Sequence, residues 1–108
     1  MRAVQLTEIG KALAQADIPI PEIGSSDVLI RVAAAGICHS DAHYRAGISK
    51  IDDLPLSLGH EIAGRVEETG SDVTHLSAGD RVCVHYWSTA EAASFVCAAW
   101  NSSVAADR

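Results

Sequence analysis

Strand-length apolar runs separated by glycine and aspartate turns are the feature that most restricts the fold of this chain. The clearest run is residues 28–33, Val-Leu-Ile-Arg-Val-Ala, whose β-branched residues are typical of a strand. Further strands are predicted at residues 3–6, 62–67 and 81–86, with turns at 24–27, 70–72 and 79–80. Without long helices between the strands, the pattern favours a mainly β barrel or sandwich over a parallel α/β sheet.

Three segments depart from the strand pattern. Residues 40–45 predict a short helical turn, and residues 51–58 predict a loop around Pro55. After Thr89 the sequence becomes alanine-rich and loses its strand alternation. We therefore expect one domain over residues 1–89 and a separate tail over residues 90–108. The tail is expected either to form a short helix over residues 90–100 or to be disordered.

Composition excludes several classes of protein. The 108 residues suffice for one core, and the 48% of hydrophobic residues can fill it. Fourteen acidic against eight basic side chains give a net charge of −6 without any basic run, which disfavours nucleic acid and anionic membranes as partners. Neither a signal peptide nor a membrane span is visible, and three cysteines without a Cys-x-x-Cys pair fit a reducing, cytoplasmic setting.

Metal-ligating residues concentrate in two short segments. Residues 36–43 read Gly-Ile-Cys-His-Ser-Asp-Ala-His, and residues 59–61 read Gly-His-Glu. Thiolates, imidazoles and carboxylates are the ligands zinc prefers, and a catalytic zinc site takes about three of them. Neighbouring strand residues face opposite ways, so His60 and Glu61 share a site only if the backbone bends, which Gly59 favours. Taken singly, Cys38 also fits a buried small apolar residue, and His60 a hydrogen-bonded loop histidine.

The order of these residues resembles a known family. Residues 59–73 contain G-H-E-x(2)-G-x(5)-G-x(2)-V, which resembles the signature of the zinc-containing medium-chain alcohol dehydrogenases. Residues 36–43 are similar to the first zinc-ligand loop of that family, and residues 79–82 to the start of its next strand. The resemblance covers residues 1–89 and implies a GroES-like, partly open β-barrel with short helical turns.

The resemblance also implies a ligand set. Cys38 and His60 would bind the catalytic zinc, and Glu61 would be a nearby or exchanging ligand. Asp41 would accept a hydrogen bond from the other ring nitrogen of His60 and so fix its tautomer. The alternative for Asp41 is the first-turn acid of a short helix.

Proton transfer and cofactor binding are implied in the same way. Ser40 would take the proton of a small alcohol and pass it to His43 at the solvent end of a relay. His39 would lie beside the pyrophosphate of NAD or NADP in an intact alcohol or aldehyde oxidoreductase. Alternatively, Ser40 caps the helical turn and His43 is merely solvated.

The remaining titratable residues match no motif. We expect His75 and His85 to be solvated or locally hydrogen-bonded, and Cys83 to be a packing thiol. Glu67 and Glu68 are expected to face opposite sides of a strand and therefore to form no catalytic pair.

Two expected parts of such an enzyme do not occur among these residues. No G-x-G-x-x-G spacing is present, and the third zinc ligand of the family, a cysteine, would follow Arg108. The tail carries Ala90, Ala93, Val96 and Val104 where the family often has the four cysteines of a structural zinc lobe. A nucleotide lost near the Thr89 codon would explain this, whereas an unrelated tail is the alternative. Two other functions stay open: a non-enzymatic GroES-like binding or assembly module, and a small zinc-binding protein.

Overall fold

A computed structural model describes residues 1–85 and the backbone of residues 94–98. The elements are β1 (Arg2–Leu6), β2 (Ala14–Asp17), β3 (Asp27–Gly36), α1 (His39–Ala46), β4 (Leu56–Ser57), β5 (Glu61–Thr69), β6 (Arg81–Val84) and β7 (Ser94–Ala98). They form a three-stranded sheet of order β2-β1-β4 and a four-stranded sheet of order β6-β5-β3-β7. In this part of the chain, no helix is long and apolar enough to cross a bilayer.

A buried cluster lies on one face of the larger sheet, and Ala3 and Leu6 of β1 are also buried. Val28, Ile30 and Val66 are buried there, because alternate residues of β3 and β5 point to the same side. Four partly buried residues pack against them: Val73, Leu76, Val82 and Val84. The antiparallel pairing of β3 with β5 runs from Val28 opposite Thr69 to Gly36 opposite Glu61, so it also brings together the two strand ends that lead to the candidate ligands.

The helix α1 has a defined start and end. Cys38 is its extended N-cap residue, and its Sγ accepts a hydrogen bond from the Ser40 amide. At the other end Gly47 adopts φ 73°, a left-handed conformation that glycine reaches without strain, and its amide donates to the Tyr44 carbonyl. The helix is therefore longer than the turn predicted over 40–45, by one residue at each end.

The strands predicted around residues 3–6, 28–33, 62–67 and 81–86 are confirmed as β1, β3, β5 and β6, with shifted ends. The strand β2 was not predicted, because its sequence Ala-Gln-Ala-Asp contains no β-branched residue. Its position follows from pairing with β1, in which Val4 lies opposite Gln15. Within the predicted loop 51–58, only the two residues of β4 form a strand.

Two expectations are wrong. Residues 94–98 form a strand rather than part of a helix, because they pair in parallel with β3, and this pairing overrides the helix propensity of the flanking alanines. The rest of the tail lies outside the described residues. Cys83 is exposed rather than packed, because Val82 and Val84 take the core-facing positions of β6 and alternation directs Cys83 to the other face.

Gly64 provides a test of the β3–β5 packing. A Cβ atom at this position would lie 2.3 Å from the Arg31 carbonyl oxygen and 2.8 Å from Ile30 Cγ2. We expect Gly64→Ala to lower the free energy of unfolding by about 1–3 kcal/mol, because the overpacked strands must separate. Urea denaturation measures this change. Gly24→Ala is the matched control, since its nearest neighbour is a carboxylate of Asp27 at 3.2 Å, and equal losses in both variants would contradict the packing account.

Candidate metal site

The site forms where β3 leads into α1 and where the chain enters β5. Cys38 follows β3 by two residues, and His60 immediately precedes β5. Because Gly36 and Glu61 are register partners, the two segments lie side by side although they are 22 residues apart. The Cys38 Sγ and His60 Nε2 atoms are consequently separated by 3.7 Å.

Asp41 connects the two segments. The residue is only 3% exposed, and its Oδ2 accepts a 2.8 Å hydrogen bond from the Cys38 amide. The other oxygen, Oδ1, accepts a 3.1 Å hydrogen bond from the Gly59 amide. Gly59 has φ 95°, which bends the backbone before His60 as the sequence predicted. One carboxylate thus fixes both backbone segments that present the candidate ligands.

The charge of Asp41 follows from these contacts. Burial raises the pKa of the Asp41 carboxyl, but hydrogen bonds from the Cys38 and Gly59 amides and the nearby His60 outweigh this effect. The pKa of Asp41 is lowered overall, so the group is ionised near neutral pH. His60 Nδ1 lies 3.7 Å from Asp41 Oδ2, a distance for electrostatic attraction rather than a hydrogen bond. The expected hydrogen bond between these two residues therefore stays a prediction.

The donor set fits a zinc ion. The ligand atoms of Cys38, Asp41 and His60 all lie within 4.8 Å of one another. A sulfur at about 2.3 Å and a nitrogen at about 2.0–2.1 Å from one tetrahedral zinc ion are roughly 3.6 Å apart. The observed Cys38 Sγ to His60 Nε2 distance is 3.7 Å. Because both Asp41 oxygens already accept backbone hydrogen bonds, Asp41 is better suited to holding the site than to ligating the metal.

Ser40 and Glu61 occupy different positions relative to this pair. Ser40 Oγ lies 3.0 Å from Cys38 Sγ and faces the same space. Glu61 is exposed at the start of β5 and lies against Gly36, where an added Cβ would be 2.4 Å from Glu61 Oε2. Glu61 does not belong to the close group formed by the described ligands, and its exchanging role stays a prediction.

An open cleft of about 830 Å³ borders the site. Cys38, Ser40 and His60 line it, together with Tyr44 and Ile62, which sequence reasoning missed. The i+4 spacing of Tyr44 from Ser40 on a helix was the available signal for Tyr44. The residues lining the cleft, all from the described part of the chain, do not include the two predicted site residues His39 and His43. These two rings contact each other, with centroids 4.6 Å apart. His75 and His85 are exposed, as expected.

Comparison with known proteins shows which protein family this chain belongs to. The model of the alcohol dehydrogenase GroES-like domain matches residues 24–105, so the chain belongs to this family, and the predicted mainly β GroES-like fold is confirmed. A relative from Sulfurisphaera tokodaii, an NAD-dependent alcohol dehydrogenase, is 52% identical over 95 residues, which cover 81% of this chain and 27% of that protein.

Two further comparisons agree. Human sorbitol dehydrogenase is 50% identical over 70 residues, which cover 61% of this chain and 19% of that enzyme. The solved alcohol dehydrogenase from a Thermus species has a TM-score of 0.67 at 38% identity, covering 77% of this chain and 24% of that chain. The chain is thus an N-terminal domain of the zinc-dependent medium-chain alcohol dehydrogenase family, and it spans about a quarter of its relatives' length.

The connecting role of Asp41 predicts a loss of stability in Asp41→Asn. The amide offers only one good acceptor and leaves one of the two backbone N–H groups unsatisfied, so we expect a loss of about 1–3 kcal/mol at pH 7. Urea denaturation gives the value. Asp52→Asn is the matched control, since its ion pair with Lys50 is highly exposed, and it should cost less than about 1 kcal/mol.

The stability difference between the wild type and Asp41→Asn should also depend on pH. Because the folded-state pKa of Asp41 is lowered, its contribution is complete above its unfolded pKa of about 3.9 and disappears as pH falls through the folded value. The difference in unfolding free energy between the wild type and Asp41→Asn should therefore shrink in acid. An unchanged difference from pH 7 down to pH 2.5 would contradict the ionised carboxylate.

Proposed function

We propose that this domain contributes the catalytic metal site of a zinc-dependent alcohol dehydrogenase that interconverts a small alcohol and its aldehyde with NAD or NADP. The observation that carries the proposal is the approach of Cys38 Sγ to His60 Nε2, 3.7 Å apart beside an open cleft. The names of the relatives, which include an NAD-dependent alcohol dehydrogenase, support the reaction class.

The residues of this chain have distinct tasks in that reaction. Cys38 and His60 would hold the zinc, and Asp41 would keep His60 oriented through its charge and its hydrogen bond to the preceding amide. Zinc bound there supplies Lewis acidity, which favours loss of the hydroxyl proton of an alcohol. The Ser40 hydroxyl, on the wall of the cleft, would accept that proton at Oγ.

Two histidines would complete the proton and cofactor contacts. His43 follows Ser40 by three residues on α1 and is half-buried, so it would carry the proton from the cleft towards solvent. His39 is exposed at the start of α1, where it would meet the pyrophosphate of NAD or NADP. Glu61 remains the proposed exchanging ligand.

A zinc titration tests the ligand pair. The wild-type chain should compete with a fluorescent chelator for one zinc ion, whereas Cys38→Ala and His60→Ala should each bind it at least about tenfold more weakly, because each removes a ligand from an incomplete shell. Cys83→Ala is the matched control, since this exposed thiol lies outside the site, and it should bind like the wild type. Unchanged zinc uptake by both ligand variants would show that the pair is not a metal site.

An activity assay tests whether this chain alone can oxidise an alcohol. The purified 108-residue chain, loaded with zinc, should give no NAD-dependent ethanol oxidation, because turnover requires alcohol, metal and nicotinamide held at near-attack distance and these residues include no dinucleotide fingerprint. The full-length S. tokodaii relative serves as the positive control. Measurable turnover by the chain alone would refute this, and a stable oligomer without zinc dependence would favour an assembly module.

A further inference from the structure

The cleft beside the Cys38–His60 pair has a wall of uneven polarity. Its aliphatic residues are all half-buried, and they are Ile51, Leu56, Leu58 and Ile62. Its charged residues other than the buried Asp41 are all exposed, and they are Lys50, Asp52 and Asp53. The charges therefore lie at the solvent rim of the cleft, whereas the more buried part of the wall is mainly hydrocarbon.

Three of the aliphatic residues belong to the segment that carries His60. Leu56, Leu58, His60 and Ile62 are alternate residues of the sequence, and all four line the cleft. The position of Leu56 is fixed because β4 pairs with β1, and that of Ile62 is fixed because β5 pairs with β3. The apolar wall is therefore held by both sheets and continues directly from the candidate metal ligand.

Most polar side chains of the cleft already have partners. The Lys50 ammonium is 2.7 Å from a carboxylate oxygen of Asp52, and Ser57 Oγ accepts a 3.3 Å hydrogen bond from Gln5. Both carboxylate oxygens of Asp41 accept hydrogen bonds from backbone amides. A row of substrate hydroxyl groups would thus meet few free partners, and each hydroxyl left unpaired loses its hydrogen bonds to water.

The rim also disfavours a negatively charged substrate. Lys50 is the single lysine or arginine among the described residues that line the cleft, and its charge is paired with that of Asp52. The exposed carboxylate of Asp53 adds a further negative charge beside it. A carboxylate on the substrate would therefore be repelled at the rim without finding a free cation.

We propose that this site takes an uncharged alcohol with a hydrocarbon chain, rather than a polyol or an amino acid. The residues that determine this specificity are Ile51, Leu56, Leu58 and Ile62. The inference rests on the proposed function and deepens it, because the relatives include both an alcohol dehydrogenase and a sorbitol dehydrogenase. Each methylene group that leaves water for the apolar wall strengthens binding, whereas an added hydroxyl weakens it.

The experiment measures binding rather than turnover, on the full 108-residue chain loaded with zinc. Amide NMR titrations compare 1-butanol, 1-hexanol and 1,2,6-hexanetriol. We expect 1-hexanol to bind roughly tenfold more tightly than 1-butanol, because two more methylene groups are buried. It should bind at least about tenfold more tightly than the triol, which has the same carbon chain and two more hydroxyls.

Leu58→Ser tests the wall itself. This variant should bind 1-hexanol at least about fivefold more weakly than the wild type, because the hydrocarbon contact is lost, and it should not lose affinity for the triol. Ile48→Ser is the matched control, since Ile48 is 71% exposed and lies outside the cleft, and it should bind 1-hexanol like the wild type. Circular dichroism establishes that each variant keeps the fold, and the comparison of alcohols on the wild type needs no variant.

Equal or tighter binding of the triol by the wild type would overturn the proposal, as would an affinity that does not depend on chain length or the absence of saturable binding by 1-hexanol. Repeating the titrations without zinc separates this inference from the proposed function. Failure of the chain to bind zinc would refute the function, while the order of the alcohols on the zinc-free chain would still test the wall. Zinc uptake together with a preference for the triol would refute the substrate class alone.

Discussion

The buried carboxylate of Asp41 is the interaction on which the candidate site depends. One of its oxygens holds the Cys38 amide at the start of α1, and the other holds the Gly59 amide before β5. The sheet brings these segments side by side, and the Asp41 carboxylate sets their final separation, because both of its oxygens accept hydrogen bonds only when both segments are in place. Formation of the ligand pair is therefore coupled to formation of the β3–β5 register.

Much of this arrangement could be predicted from the sequence, for physical reasons. The β-branched runs in β3 and β5 predict strands because such residues pack well on a pleated surface, and glycine and aspartate mark the turns between them. Cys38 and His60 could be identified as a ligand pair because their segments resemble the zinc-ligand motifs of the family, whereas the residue types and the glycine before His60 alone left other roles open. The structure places Cys38 Sγ and His60 Nε2 at a separation that a zinc ion accommodates.

The features that were missed depend on contacts between distant segments. The tail strand β7 is flanked in the sequence by alanines that favour a helix, and its pairing with β3 makes it a strand. The exposure of Cys83 depends on which face of β6 meets the core. The double role of Asp41 was missed, because the cap considered in the sequence was Ser40, whereas the structure has Cys38 as the N-cap. The bond of Asp41 to Gly59 requires the tertiary fold.

The central claim, that Cys38 and His60 are brought together to bind one metal ion, is tested most directly by zinc K-edge X-ray absorption spectroscopy. The chain is measured with one equivalent of zinc. The account predicts a single sulfur neighbour at about 2.3 Å, with nitrogen and oxygen neighbours at about 2.0–2.1 Å, one of them an imidazole. A zinc shell without sulfur, or one with two or more sulfurs that include Cys83 or Cys97, would contradict it.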